Sequence, residues 1–216
     1  MYSSRYMAAE INNRIGILGG TFNPVHRGHL ALAKSAIKVF DLGKVLFIPS
    51  AKPPHKTPHI LASVKHRMAM LQLAIKNNPK FEICDIETRR TGPSYTIDTI
   101  TQLRKINPSA EYFFIIGADS LQELHMWKQI NDLLKLCTFV TFGRPGINAG
   151  KTKVIHLDPK WARKLLKNFT PGRMPNISSS NIRQRVAQGK NIHYLVEKAV
   201  AEYISANNLY KKNKEN

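Results

Sequence analysis

Acidic side chains are scarce in this chain: 14 Asp and Glu stand against 33 Lys and Arg, leaving a formal charge of +19 and a pI near 10.1. That balance favours anionic partners, whether nucleic acid, an anionic membrane surface or a phosphorylated small molecule. The aromatic residues do not alternate in a block with the basic ones, so the base-stacking surface of a single-strand binder is missing. Only the tail Lys211, Lys212, Lys214 concentrates charge, which disfavours nucleic acid as the partner. Cysteine is nearly absent: Cys84 and Cys137 form neither a C-x-x-C pair nor a disulfide ladder, as suits a reducing compartment. No run of about 18 apolar residues exists to cross a bilayer, and the opening MYSSRYMAAEINNR lacks the apolar core of a signal peptide. The expectation is a cytoplasmic protein with no membrane partner. Internal repeats and low-complexity tracts are missing too, and 216 residues at 43% hydrophobic suffice for one body burying about 70% of its unfolded surface.

What is present is a regular alternation. RIGIL at 14–18, KVLFI at 44–48, FEICD at 81–85, YFFII at 112–116 and LCTFVTF at 136–142 predict strands, with VIHL at 154–157 a weaker sixth. Between them, 28–39, 63–77, 96–105 and 119–134 carry helical spacing, with Ser63 and Thr96 as caps. Two further helices close the chain, Asn181 to Gln188 stopped by Gly189, then Tyr194 to Ala206. This predicts an α/β fold: a Rossmann-like, doubly wound, mainly parallel sheet with helices on both faces, in a single domain with C-terminal helices. The domain is expected over 14–210, between an N-terminal extension, 1–13, and a basic tail, 211–216. Region 143–178, rich in Gly, Pro and Lys, reads as the least regular.

In such a sheet, ligands sit beyond the carboxyl ends of the strands where strand order reverses. GGTFNPVHRGH, 19–29, occupies that place after the first strand. It has no G-x-G-x-x-G, and no G-K-[ST] follows, which excludes a dinucleotide fingerprint and a Walker loop. His26 and His29 lack the glutamate of H-E-x-x-H, have a cation between them and have no third ligand nearby, so no metal site is expected. Two imidazoles and the first helix amides can instead converge on one anion, with Gly19 and Gly20 admitting backbone close to a nucleotide and Gly28 leaving room beside phosphates. A second stretch, PNISSSNIRQRV at 175–186, puts serines at a helix start with Arg183 in its first turns, where the dipole disfavours a cation. A ligand carrying negative charge explains that placement. Such sites suit nucleotidyl transfer, because a phosphate monoester with a second pKa of about 6 is already an ionised nucleophile.

The pair G-G-T-F-N-P-V-H-R-G-H and I-S-S-S-N-I-R resembles the signature of the nucleotidyltransferase superfamily. Over Ile15 to Tyr210 the chain is similar to the bacterial nicotinate-nucleotide adenylyltransferase family, through IPSAKPPHK at 48–56, SYTIDT at 94–99, IIGADSLQELHMWKQINDLL at 115–134 and GRPG at 143–146. The resemblance implies adenylyl transfer from ATP to nicotinate mononucleotide, assisted by Mg²⁺, with pyrophosphate released. It assigns the ATP phosphates to His26 and His29, and the triphosphate to Ser179, Ser180, Arg183 and the backbone around Ile182. Thr21 and Phe22 would give backbone contacts, Gly117 and Asp119 would meet ribose or adenosine, Lys56 phosphate and Arg144 adenine. Thr96 would receive the nicotinate carboxylate and Trp127 would stack on the pyridine ring. Asn23 stands where that family often has aspartate, and Ser180 where threonine is usual.

Other readings stay open. Trp127 fits an apolar stripe with Leu121 and Leu124, Asp119 could cap a helix, and the Pro53–Lys56 stretch could be a rigid extended loop. A transferase acting on phosphopantetheine would keep the histidines without SYTIDT and Trp127, and the charge alone would suit a nucleic-acid binder. Monomer and homodimer are equally compatible with the sequence.

Overall fold

Near-continuous apolar strands need cover on both faces, and the chain supplies it. The computed structural model describes residues 12–52, 61–143, 157–172 and 175–211. Six strands, β1 (Arg14–Gly20), β2 (Lys44–Pro49), β3 (Phe81–Ile83), β4 (Glu111–Gly117), β5 (Thr138–Phe142) and β6 (Phe169–Thr170), form one sheet in the order β3-β2-β1-β4-β5-β6. Every pairing is parallel. Order reverses between β1 and β4, so the crevice beyond their carboxyl ends is the switch point of a doubly wound fold.

Alternation along the strands divides the core in two. Leu18, Val45, Phe47, Phe113, Ile115, Val140 and Phe142 face one cluster, covered by α1 (Arg27–Phe40), α2 (Val64–Ile75), α6 (Ser179–Ala187) and α7 (Lys198–Ala206). Ile15, Ile17, Leu46, Ile48, Phe114, Ile116 and Phe139 face the other, under α3 (Thr96–Ile106), α4 (Ile130–Leu136) and α5 (Pro159–Lys167). Among the described residues no helix is long and apolar enough to cross a membrane.

Four expectations need correction. The predicted helix 119–134 is two 3₁₀ turns, Ala118–Gln122 and Leu124–Met126, followed by α4; the extended Trp127 and left-handed Gln129, φ 51°, interrupt it. Thr96 is the first residue of α3 rather than its cap, which is Tyr95. The last helix begins at Lys198, because 193–196 form a turn and a bend. Region 143–178 is not uniformly irregular: Asp158 accepts from the Lys160 amide at 2.8 Å and Pro159 opens α5, a legible N-terminus, and β6 follows. Of the weak strand predicted at 154–157, residues 154–156 lie outside the described residues and Leu157 is a bend.

Candidate active site

The end of β1 and the start of α1 are joined by six residues that build a concave wall. Gly19 and Gly20 pair with Ile48 and Pro49 of β2, and Gly20 accepts from the Ser50 amide at 2.9 Å. Phe22 then turns left-handed, φ 48°, and buries its ring, a conformation of a bulky residue that neighbours must hold in place. The Asn23–Pro24 bond is cis. His26, extended at φ −145°, caps α1, and its ring stacks on His29 with centroids 3.6 Å apart. The His26 amide donates to His29 Nδ1 at 3.2 Å, which places the proton of a neutral His29 on Nε2. Phe22 meets the His29 ring edge-on at 5.1 Å.

Gly28 lies against the His26 ring. A Cβ there would lie 3.0 Å from His26 Nδ1, so the missing side chain makes room for the imidazole. Arg27, between the two histidines in sequence, points elsewhere: its amide donates to Leu195 O at 2.9 Å and its guanidinium pairs with Glu197 at 3.5 Å. The cation that argued against a metal site therefore does not face the imidazoles.

The distant serine and arginine stretch packs onto this wall. Ser179 Oγ donates to Pro24 O at 2.9 Å, and Arg183 Nη1 donates to Asn23 O at 2.9 Å. Ser178 caps α6 by accepting from the Asn181 amide, while Ser180 Oγ accepts from Arg183 Nη2. Ile182 buries its side chain completely, and its amide is spent on Ser178 O inside the helix. The first-turn amides of Ser179 and Ser180 are thus the ones without an intrahelical acceptor. Arg183 is pushed below its ordinary pKa by burial, yet an arginine stays charged there. Among the described residues it has no carboxylate partner within salt-bridge distance. The wall consequently presents two imidazoles, the amino ends of α1 and α6 and one half-buried cation, a set that stabilises an anion.

A residue that the sequence reading did not select ties the neighbouring loops. Arg67 of α2 is 1% exposed and donates to Ala62 O, Thr21 O, Ser50 O and Ala51 O at 3.1, 2.8, 2.8 and 3.5 Å. Desolvation lowers its pKa. It joins the loops after β1 and β2 and leaves Thr21 O occupied. The available signal was its register: Arg67, Met70 and Leu71 share the buried stripe of α2, where an arginine is out of place unless it is hydrogen-bonded.

On the other side of the sheet, Trp127 stands edge-on to Phe114 at 5.7 Å and to Phe139 at 6.1 Å. It is half-buried, so it both packs and retains an accessible surface. Thr96 is half-buried at the α3 amino end. Lys128 connects the two regions, 4.5 Å over the Tyr95 ring and 3.6 Å from Asp98 Oδ2. Gly117 ends β4, where a Cβ would meet nothing within 4 Å, and Asp119 follows in the 3₁₀ turn, whose cap is Gly117. Lys56 and Arg144 lie outside the described residues. No cluster of three or more His, Cys, Asp or Glu side chains placed to hold a metal occurs among the described residues.

A sheet reversing at β1/β4, with an anion-stabilising wall at that crevice, defines the class of α/β nucleotide-binding proteins. A family profile described as Cytidylyltransferase-like matches residues 17–185. The probable nicotinate-nucleotide adenylyltransferase of Shouchella clausii is 43% identical over 202 residues, spanning 94% of this chain and 99% of the relative. That of Halalkalibacterium halodurans is 45% identical over 201 residues, spanning 93% and 92%. The chain belongs to the nicotinate-nucleotide adenylyltransferase family of nucleotidyltransferases. A solved structure, Plasmodium falciparum nicotinic acid mononucleotide adenylyltransferase complexed with NaAD, shares the fold with a TM-score of 0.73 at 21% identity, over 94% of this chain and 99% of that one.

Proposed function

We propose that this protein transfers the adenylyl group of ATP to nicotinate mononucleotide, giving nicotinate adenine dinucleotide and pyrophosphate. The observation that carries the reading is the direct bonding of the two signature stretches, Ser179 to Pro24 and Arg183 to Asn23. A phosphate oxygen of the acceptor attacks the α-phosphorus of ATP, and the bond from that phosphorus to the oxygen bridging to the β-phosphate breaks as pyrophosphate leaves. The acceptor phosphate, ionised at neutral pH with a second pKa of about 6, needs no general base. Catalysis is positioning and charge stabilisation, the first worth on the order of 7–11 kcal/mol and each preorganised donor about 2.7–4 kcal/mol.

His26 and His29 face the α-phosphate; Arg183, Ser179 and Ser180, with the amides at the start of α6, hold the leaving phosphates. Ile182 anchors that helix through its buried side chain. Gly19, Gly20, Thr21 and Phe22 line the nucleotide, with Gly117 and Asp119 toward ribose and adenosine. Lys56 and Arg144 complete the phosphate and adenine contacts. Thr96 takes the nicotinate carboxylate and Trp127 the pyridine ring, with Lys128 adding positive charge between them. Mg²⁺ would ride on the phosphates of ATP, neutralising their charge, in keeping with its habit of binding through substrate phosphates more than through protein cages. Residues 14–210 act as the single catalytic domain.

His29→Ala removes one preorganised donor and is expected to lower turnover about 100-fold or more with the melting temperature little changed. Pyrophosphate release with ATP and nicotinate mononucleotide measures it; undiminished turnover would refute the role.

A further inference from the structure

The carboxyl-terminal turn reaches the phosphate-binding wall across the molecule. Helix α7 ends in a Schellman motif: Asn208 is left-handed at φ 51°, its amide donates to Ser205 O at 3.2 Å, and the Leu209 amide donates to Ile204 O at 3.0 Å. Leu209 packs against the core beside that helix, and Tyr210 follows with a second left-handed backbone, φ 62°. Two such conformations in three residues persist only where surroundings over-determine them. That geometry packs the Tyr210 ring against the core and brings its hydroxyl to Asn23: Tyr210 Oη donates to Asn23 Oδ1 at 2.8 Å. The same oxygen accepts from the Ala62 amide at 3.1 Å, and the backbone carbonyl of Asn23 accepts from Arg183. Asn23 is 3% exposed, so its side chain must take these bonds from protein. The Tyr210 hydroxyl also lies near enough to Arg67 and Arg183 to interact with both charges, while burial raises its pKa, keeping it a neutral donor.

We propose that Tyr210 is a positioning residue for ATP: through the carboxamide of Asn23 it holds the Asn23–Pro24 carbonyls to which Arg183 and Ser179 are bonded. The inference rests on the adenylyl-transfer reading. It makes the turn after α7 part of ATP binding, although Tyr210 touches neither substrate, and it predicts an effect confined to ATP because Thr96 and Trp127 stand on the other face of the sheet.

Binding of a non-hydrolysable ATP analogue, in the absence of acceptor, separates this from packing. Tyr210→Phe keeps the ring and loses the hydroxyl; analogue binding should weaken about 3- to 10-fold, the worth of one neutral hydrogen bond. KM for ATP should rise by a similar factor, with KM for nicotinate mononucleotide little changed and at most a modest fall in melting temperature. Asn23→Asp keeps an acceptor and should retain affinity, whereas Asn23→Ala should not, and adding Tyr210→Phe to Asn23→Ala should cost nothing more. Unchanged analogue affinity in Tyr210→Phe, or equal rises in both KM values, overturns the proposal. Failure of the wild-type protein to bind the analogue overturns the adenylyl-transfer reading as well, so the two failures are distinguishable.

Discussion

At the scale of single residues, the site depends on what is left out as much as on what is present. Gly28 is the second residue of α1, where alanine is the better helix former by about 1 kcal/mol. Its Cβ, however, would press on the His26 ring. Gly28→Ala is therefore expected to lower turnover without raising the melting temperature, because His26 is buried and stacked on His29, and a calorimetric scan beside a kinetic assay checks both. Loss of stability with normal turnover would mean that the ring moves without consequence. Asn23 and Arg67 show why part of the site was hidden in the sequence. Their partners, Tyr210, Ala62 and the carbonyls of Thr21 and Ser50, are brought in by tertiary packing, and spacing shows only that Arg67 shares the buried stripe of α2, not what it binds. His26 and His29 were legible because both belong to one helix end, where sequence distance and spatial distance agree.

In the proposed function, elements divide the labour between the two substrates. The first cluster places α1 and α6 together on one face of the sheet, whereas α3, the 3₁₀ turns and Trp127 sit on the opposite face. Trp127→Ala should accordingly raise KM for nicotinate mononucleotide more than KM for ATP, read from steady-state kinetics with each substrate varied. Equal changes would mark Trp127 as packing against Phe114 and Phe139 alone. Five of the six strands were readable, since runs such as YFFII are buried on both faces and keep an uninterrupted apolar signature. The predicted helix 119–134 failed because Leu121, Leu124, Ile130 and Leu133 are all buried at helix-like intervals while the backbone is interrupted at the extended Trp127 and the left-handed Gln129. Hydrophobic period reports which residues are buried, not whether the helix between them is continuous. β6 was too short, at two residues, to show any period.

At the scale of the whole molecule, stability and charge are expected to respond to alkali. Burial pushes the Cys137 thiol up to about 12, and Tyr112 and Tyr210 are likewise raised by desolvation. Each of these groups ionises more readily in the unfolded chain, whose thiols titrate at about 8.5 and phenols at about 10. The unfolded state thus binds fewer protons above these values, and stability present below about pH 8.5 is lost as pH rises toward 12. Thermal melts from pH 8 to 11 should show a steady fall, shallower in Cys137→Ala; parallel slopes would remove the thiol from that explanation. The formal charge of +19 fits substrates that are all anionic, and the wall after β1 carries the buried Arg67 and the half-buried Arg183, neither with a carboxylate partner among the described residues. The central claim is adenylyl transfer to a pyridine mononucleotide bearing a carboxylate. Pyrophosphate release from ATP, measured in parallel with nicotinate mononucleotide, nicotinamide mononucleotide and phosphopantetheine, tests it most directly. Fastest release with nicotinate mononucleotide is expected; no release with any acceptor, or preference for phosphopantetheine, would contradict it.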